Sequence, residues 1–194
     1  MTEARHTLIV PVMKARVPVD LLLEFPPPPD EEPVREPFVA DLYLTYAFDL
    51  PVQEADAGRR HGQYVTHRYC AETGLLPEAL RQQSTANLRT RRPDLGFAWY
   101  PDAKAVSVSL GGGLEAGLLL DDAMMEKLTQ DVDGDVVVAV PARNVLVATG
   151  TGHPDGLAKL HWIVDQVWSG VEERALLLTR DLLVRRPAGW ESYA

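Results

Sequence analysis

The part of the chain that most restricts the fold is an apolar hairpin followed at once by an amphipathic helix. Asp135 to Val140 is a valine-rich run typical of a buried strand. The turn Pro141 to Asn144 separates it from a second run, Val145 to Thr149, and this spacing predicts an antiparallel hairpin. From Pro154 to Trp168, apolar residues recur at the spacing of one helix face. This order predicts an antiparallel sheet with a helix packed against it.

The remaining chain predicts more strands grouped as hairpins, with helices between them. The predicted strands are Phe38–Asp49, Ala105–Leu110, Leu114–Leu120 and Leu176–Arg185, and the predicted helices are Leu75–Thr90 and Asp121–Asp131. The glycines at 111–113 are typical of a turn between two of these strands. Such an arrangement indicates an α+β fold, with a mostly antiparallel or mixed sheet packed with about three helices.

The N-terminal segment differs from the rest in its proline content. Nine of the fifteen prolines lie in the first 51 residues, and Pro26–Pro29 is an unbroken run followed by acidic residues. Such a run favours polyproline II and cannot donate backbone hydrogen bonds, so residues 26–37 are predicted to be an exposed connector. A ligand for a proline-recognising domain is the alternative. We therefore predict a proline-rich arm with its connector over residues 1–37 and a single α+β domain over residues 38–194.

Charge narrows the classes of binding partner. The formal net charge is −9, from 19 Lys and Arg against 28 Asp and Glu. A general nucleic-acid binder needs a basic face for phosphates, and anionic lipid repels an acidic chain, so both classes are disfavoured. The balance is uneven, with −7 over residues 1–57, +5 over residues 58–93 and −7 over residues 94–194. The basic segment leaves three alternatives: the chain's own acidic segments, an acidic partner, or nucleic acid contacted through residues 59–92.

Cysteine content and apolar runs bear on the cellular compartment. The single cysteine, Cys70, excludes an intrachain disulfide. The segment Met1–Lys14 lacks the basic region, long apolar core and cleavage site of a secretory signal. No apolar run approaches the roughly 20 residues that cross a bilayer. These features predict a cytoplasmic protein without membrane contact.

Several segments carry the motifs of a known family. They include a step from glycine into a leucine run, a Gly-Asp-hydrophobic hairpin with Val-Pro-Ala-Arg at its turn, and an Asp-Gly-Leu opening to the last helix. The segments are Gly112–Asp121, Gly134–Leu146 and Asp155–Leu157, with shorter matches at Phe38–Asp41 and Ala86–Leu88. Together they resemble the YtpQ-like family of uncharacterised bacterial proteins, of which this chain would be a divergent member. The resemblance implies one fold over residues 38–194 and a cytoplasmic location, but no reaction.

Carboxylates around the leucine run are the strongest candidates for chemistry. Glu115 and Asp121 are six residues apart, so a straight strand would place both on one face. With Asp122 they would suit a divalent cation or divided acid and base roles. In the structural alternative, Asp121 or Asp122 caps the following helix. Glu115 then belongs to a buried polar cluster. The other members of that cluster would be Asn87, Arg143 and Asp41.

A glycine-rich loop between the hairpin and the last helix is a candidate anion site. Gly150–Gly156 follows a strand and opens a helix, which is the usual context of phosphate binding at a helix N-terminus. Its spacing is one residue longer than the dinucleotide fingerprint, and no Gly-Lys-Ser/Thr follows. Asp155 would repel a phosphate. A plain strand-to-helix loop is therefore the favoured interpretation.

Other groups of metal-binding residue types fall short of a known motif. They are the alternating Asp131, Asp133 and Asp135, the set His61, His67 and Cys70, and the pair His153 and His161. An EF-hand loop beginning at Asp131 would need Gly and Glu where Val136 and Ala142 stand. The histidine sets lack enough close ligands for zinc, and a nucleophilic role for Cys70 would need partners that the sequence does not identify. No cofactor is predicted.

The sequence therefore predicts a non-catalytic cytoplasmic module that binds a protein partner, in a regulatory or immunity-like role. The alternative is a metal-dependent hydrolase that binds its metal through Glu115, Asp121 and Asp122. Its catalytic residues would come from the polar residues already singled out. These are Glu115, Asp121, Arg143 and Asn87.

Overall fold

The computed structural model describes residues 5–16, 27–50, 63–170 and 176–194. The chain divides into two compact units, the first made of Met1–Pro37 with Tyr43–Pro93 and the second of Phe38–Leu42 with Asp94–Ala194. The main division along the chain thus falls between residues 93 and 94, whereas the predicted boundary lies between residues 37 and 38. Pro26 and His61 lie outside the described residues. The predicted α+β class is confirmed, with two sheets instead of one among the described residues.

The first unit is built on a three-stranded sheet in the order β1-β3-β2. Its strands are β1 (Ile9–Ala15), β2 (Arg35–Pro37) and β3 (Leu42–Phe48). The strand predicted from Phe38 is therefore confirmed only from Leu42 onward. Residues 38–41 instead form a tight turn, in which Ala40 takes a left-handed φ of 50° and Leu42 donates to the Val39 carbonyl at 2.9 Å. Both β1 and β2 come from the predicted arm, which is therefore part of a sheet.

Two helices pack with this sheet. Helix α1 (His67–Thr73) is capped by the Thr66 hydroxyl and ends at Gly74, which has a φ of 71°. A 3-10 turn at Pro77–Ala79 leads into α2 (Leu80–Arg91), which confirms the helix predicted there. Apolar residues from strands, loops and helices form the core of the unit. Its buried members are Ile9, Val34, Tyr46, Phe48, Val65, Cys70 and Leu80.

The second unit contains a six-stranded antiparallel sheet in the order β4-β5-β7-β6-β8-β9. The strands are β4 (Gly96–Tyr100), β5 (Ala105–Ser109), β6 (Val136–Ala139), β7 (Leu146–Gly150), β8 (Leu182–Arg186) and β9 (Gly189–Tyr193). The predicted hairpin is confirmed as β6 and β7, with Val138 opposite Ala148. The strand predicted to start at Leu176 begins at Leu182. Strands β4 and β9, at the two edges, were not predicted.

Both faces of this sheet are covered over its inner strands. One face packs against α4 (Pro154–Gly170) through alternate residues of the strands. These include Ala105, Val137, Ala139, Val147, Leu182 and Val184. The opposite face meets a 3-10 helix at Glu115–Leu120 and α3 (Asp122–Asp131), because Trp190 donates to the Leu119 carbonyl and Arg185 pairs with Asp122. We call these the α4 face and the α3 face. Double burial explains why β6, in the middle of the sheet, is apolar at every position.

The predicted strand at Leu114–Leu120 is wrong. Residues Glu115–Leu120 form a 3-10 helix, in which Gly117 donates to the Leu114 carbonyl at 2.9 Å. All six residues of this helix are buried, and a fully buried apolar run has no alternation that separates a helix from a strand. The preceding glycines 111–113 all have positive φ, between 71° and 80°, which turns the backbone out of β5.

None of the described helices is long and apolar enough to cross a membrane.

Candidate functional site

Glu115, the first candidate for chemistry, is buried and holds a turn closed. One carboxylate oxygen, Oε1, accepts hydrogen bonds from the backbone N–H groups of Leu110 at 3.2 Å and Gly111 at 2.8 Å. The other, Oε2, is buried and has no hydrogen-bond partner among the described residues. The carboxylate therefore satisfies two backbone donors at the start of the glycine turn that precedes the 3-10 helix. Its polarity within an apolar segment has a local structural cause.

The two aspartates after the leucine run each have a separate role. Asp121 is the N-cap of α3, and its Oδ1 accepts from the Met124 N–H at 2.9 Å, as the structural alternative predicts. Asp122 is exposed and pairs with Arg185 at 2.9 Å. Because Glu115 and Asp121 lie at the two ends of a 3-10 helix, the shared strand face on which the metal site was based does not exist. Among the described residues, no group of three or more His, Cys, Asp or Glu is arranged to hold a metal ion.

Of the polar residues predicted to join Glu115, Arg143 lies beside it, because the Arg143 carbonyl accepts from the Ala116 N–H at 3.0 Å. The Asn87 amide in α2 donates to the carbonyls of His6 at 2.7 Å and Ile9 at 2.9 Å, so it ties this helix to the start of β1. Arg143 lies in the turn between β6 and β7, where its backbone N–H donates to the Leu176 carbonyl at 3.0 Å. Asp41 is exposed, which excludes it from a buried cluster.

Glycines of the predicted anion loop are required by close packing within the chain. A Cβ at Gly152 would lie 2.6 Å from the Asp133 carboxylate, and a Cβ at Gly156 would lie 2.9 Å from the Ala103 carbonyl. A Cβ at Gly150 would meet the Asp133 backbone. The loop thus accommodates a carboxylate of its own chain, which opposes anion binding electrostatically. The favoured interpretation, a plain strand-to-helix loop, explains the glycine spacing.

The other residues of metal-binding types pair within the second unit, are buried in a helix or lie exposed on one. Asp135 pairs with Arg186, and Asp133 donates its backbone N–H to His153 Nε2 at 3.3 Å. Cys70 is buried in α1, and this burial raises the pKa of its thiol, which disfavours the reactive thiolate. His161 is exposed on α4.

The most unusual surface of the second unit is the edge strand β4. Within the described part of the chain, β4 has β5 as its only neighbour in the sheet. Its aromatic side chains are exposed, at 44% for Phe97, 48% for Trp99 and 36% for Tyr100. Trp162 of α4 is 53% exposed. We call these four residues the β4 surface. Large apolar side chains grouped in this way mark an interaction site more often than isolated ones do.

The aromatic rings lie on both sides of the strand. Phe97 and Trp99 stand opposite Val108 and Val106 of β5, which places them on the α3 face. Tyr100 stands opposite Ala105 on the α4 face. There the Lys159 ammonium lies 5.0 Å from the centre of the Tyr100 ring and 4.0 Å from that of Trp162. This cation–π contact links Tyr100 and Trp162 into one surface.

The β4 edge lacks the features by which proteins normally prevent strand pairing. Its five residues include no charge and no proline, and its register with β5 is continuous over all five pairs. The opposite edge strand, β9, carries Glu191 and begins at Gly189, whose φ is 135°. The sheet therefore has one edge strand that carries a charge and one that carries none.

A cleft of about 330 Å³ opens at the end of β4. Its walls are Trp99, Pro101, Lys104, Asp131 and His153. Lys104 has a left-handed φ of 49°, and it ends the 3-10 turn that joins β4 to β5. The cleft is therefore continuous with the α3-face side of the β4 surface.

Sequence reasoning missed this surface, although part of the signal was present. Three aromatic residues within Gly96–Tyr100 are typical of a strand. Its position at the sheet edge follows from the strand order, which a local pattern does not contain.

No protein-family model, curated protein or solved structure matches this chain. The resemblance to the YtpQ-like family stays a prediction.

Proposed function

We propose that this protein is a non-catalytic module that binds an extended segment of a partner protein along β4. The observation that carries the proposal is an uncharged edge strand whose aromatic side chains are exposed on both faces of the sheet. The cytoplasmic location and the regulatory or immunity-like role belong to the same proposal.

The backbone of β4 supplies the affinity in this mode of binding. An edge strand directs alternate N–H and C=O groups away from its sheet, and an added strand satisfies them. Because the register of β4 with β5 has no bulge, these groups recur at every second residue over Gly96–Tyr100. An extended partner segment therefore finds a regular row of donors and acceptors.

The side chains supply the specificity. Successive residues of an added strand point to opposite faces, so alternate residues would contact Phe97 and Trp99 on one side and Tyr100 on the other. The cleft beside Trp99 offers one charge of each sign, from Lys104 and Asp131. A partner segment with alternating apolar residues and a polar end fits this arrangement.

The metal-dependent hydrolase receives less support. Glu115 closes a turn, Asp121 caps a helix and Asp122 pairs with an arginine. Each carboxylate thus has a structural role that accounts for its presence.

Site-specific photo-crosslinking tests the proposal. The full chain would carry a benzophenone side chain in place of Phe97 and be irradiated in an extract of the cells that produce it. The matched control carries it in place of Leu76, which is 59% exposed in the first unit. We expect a discrete adduct from position 97 alone, and we expect Trp99→Lys to abolish it while Leu76→Lys leaves it unchanged. Equal labelling from both positions, or an adduct insensitive to Trp99→Lys, would overturn the proposal.

A further inference from the structure

We infer that the segment bound along β4 is β4 of a second copy of this chain, paired antiparallel about a two-fold axis at Ala98. This inference rests on the proposed function, because it names the partner of the same edge. It is drawn from the register of the strand, the chemistry of its residues and the area they expose.

The five residues of β4 are complementary to themselves when reversed. With Ala98 opposite Ala98 of the second copy, Phe97 of each copy stands opposite Trp99 of the other. Directly opposed side chains on one face of an antiparallel pair are in contact, and aromatic pairs are among the more stabilising. Self-pairing in this register therefore creates two aromatic pairs on the α3 face.

The same register also stabilises the two ends of the strand, where glycine stands opposite tyrosine. Gly96 of each copy stands opposite Tyr100 of the other, on the α4 face. Glycine weakens a strand because it has no side chain to pack, and an aromatic ring across the strand covers the exposed backbone. Every pair of β4 residues in this alignment thus joins two uncharged residues.

The exposed area is suited to a weak dimer. Taking about 150 to 250 Å² for a whole aromatic side chain, the exposed parts of the β4 surface amount to about 400 Å² per copy. A standard interface buries about 800 Å² per partner, so the four rings supply about half of that area. Backbone pairing and flanking residues add to this. We therefore expect a dimer that dissociates on dilution in the micromolar range.

Net charge sets the salt dependence of this dimer. Each copy carries −9, whereas β4 itself is uncharged. Repulsion between the copies is screened by salt, and the apolar pairing is not. Raising the ionic strength is therefore expected to strengthen self-association, the opposite of what charge-driven binding would give.

Disulfide trapping tests the register directly. In a Cys70→Ala background, Ala98→Cys would place two thiols opposite each other, because opposed Cα atoms in an antiparallel pair lie about 4.5 to 5.5 Å apart, within disulfide range. We expect rapid oxidation of Ala98→Cys to a covalent dimer and slow oxidation of the matched control Leu76→Cys. A mixture of Phe97→Cys and Trp99→Cys chains should form the mixed dimer in preference to either homodimer. Equal rates for Ala98→Cys and Leu76→Cys would overturn the inference.

Sedimentation equilibrium separates this inference from the proposed function. We expect the wild-type chain to dimerise, Trp99→Lys to weaken dimerisation about tenfold or more, and Leu76→Lys to have no effect. A wild-type chain that stays monomeric at near-millimolar concentration, while still giving the position-97 adduct with another protein, would reject self-pairing and retain the binding module. If neither self-association nor any adduct depends on Trp99, both proposals fail.

Discussion

Arg91 donates from Nε to the Asp49 carboxylate at 3.0 Å, and thereby joins the C-terminal end of α2 to the residue that follows β3. Its Nη2 also donates to the Asp49 main-chain carbonyl at 2.7 Å. Arg92 adds a second pairing to the same carboxylate at 2.9 Å. Two guanidinium groups thus converge on one nearly buried aspartate within the first unit.

Asp49→Ala is expected to destabilise the chain by about 2 kcal/mol, less than for a fully buried pair because both arginines remain partly exposed to water. Urea unfolding followed by circular dichroism would measure the change. The matched control is Asp122→Ala, which removes an exposed partner of Arg185 and is expected to cost about 0.5 kcal/mol. Equal losses in the two variants would show that the Asp49 cluster adds no more than a surface pair.

Tyr46 makes the stability of the fold decrease at alkaline pH. Its ring is fully buried in the first unit, and this burial raises the pKa of the phenol far above its usual value, with the Glu36 carboxylate raising it further. The unfolded chain ionises this phenol near pH 10, whereas the folded chain keeps it neutral. The unfolded state therefore binds fewer protons above pH 10, and stability falls by about 1.4 kcal/mol per pH unit there.

Tyr46→Phe is expected to remove that part of the alkaline loss and to change stability at pH 7 by about 1 kcal/mol or less. Urea midpoints measured from pH 7 to pH 11 would test this. The wild-type and variant curves should run parallel below about pH 9.5 and diverge above it, with the variant losing less. Curves that stay parallel over the whole range would contradict a buried neutral phenol at this position.

A substitution at Gly156 tests whether the glycines of the loop are required by close packing. A Cβ there would lie 2.9 Å from the Ala103 carbonyl and would also meet the buried Thr149 side chain, which donates to the Lys104 carbonyl. Gly156→Ala is therefore expected to destabilise the protein by about 1 to 3 kcal/mol, as overpacking usually does. Thermal unfolding monitored by calorimetry would measure the loss.

The matched control lies at the other end of the same helix. Gly170 has open space where a Cβ would stand and needs no positive φ. Gly170→Ala should be neutral or stabilise the chain by up to about 1 kcal/mol, because alanine favours the helix. A loss at Gly170 as large as that at Gly156 would contradict the role of close packing.

The sequence was most informative where one periodicity dominated. A continuous apolar run and the turn spacing located the β6–β7 hairpin, and helical spacing located α4, because burial of one or two defined faces leaves a regular pattern. Helix α3 was also found, since its apolar residues share one side. Short elements with weak patterns were missed. Helix α1 is one, although Thr66 and Gly74 mark its two ends.

The candidate site was harder to predict because it depends on strand order. The prediction for Glu115 depends on a strand over Leu114–Leu120. That strand does not form, because three successive glycines with positive φ turn the backbone and a 3-10 helix follows. The β4 surface follows from the position of Gly96–Tyr100 outside β5, which is fixed by pairings that are distant in the sequence. A local pattern identifies a strand, but the rest of the sheet decides which strand is left at the edge.

A substitution at Glu115 tests whether its carboxylate has a structural role or binds a metal ion. Removing the carboxylate with Glu115→Ala leaves the buried N–H of Leu110 and the partly buried N–H of Gly111 without their acceptor. We expect a loss of about 2 to 3 kcal/mol in the free energy of unfolding, typical of hydrogen bonds to a charged group. Because the carboxylate is already used by these donors, titration of the wild-type chain with Mg²⁺ or Mn²⁺ in a calorimeter is expected to give no binding heat. A saturable heat that Glu115→Ala removes, in a variant that remains folded, would restore the metal-dependent hydrolase. The Glu126→Ala chain is the control, since that exposed carboxylate of α3 lies outside the predicted metal site.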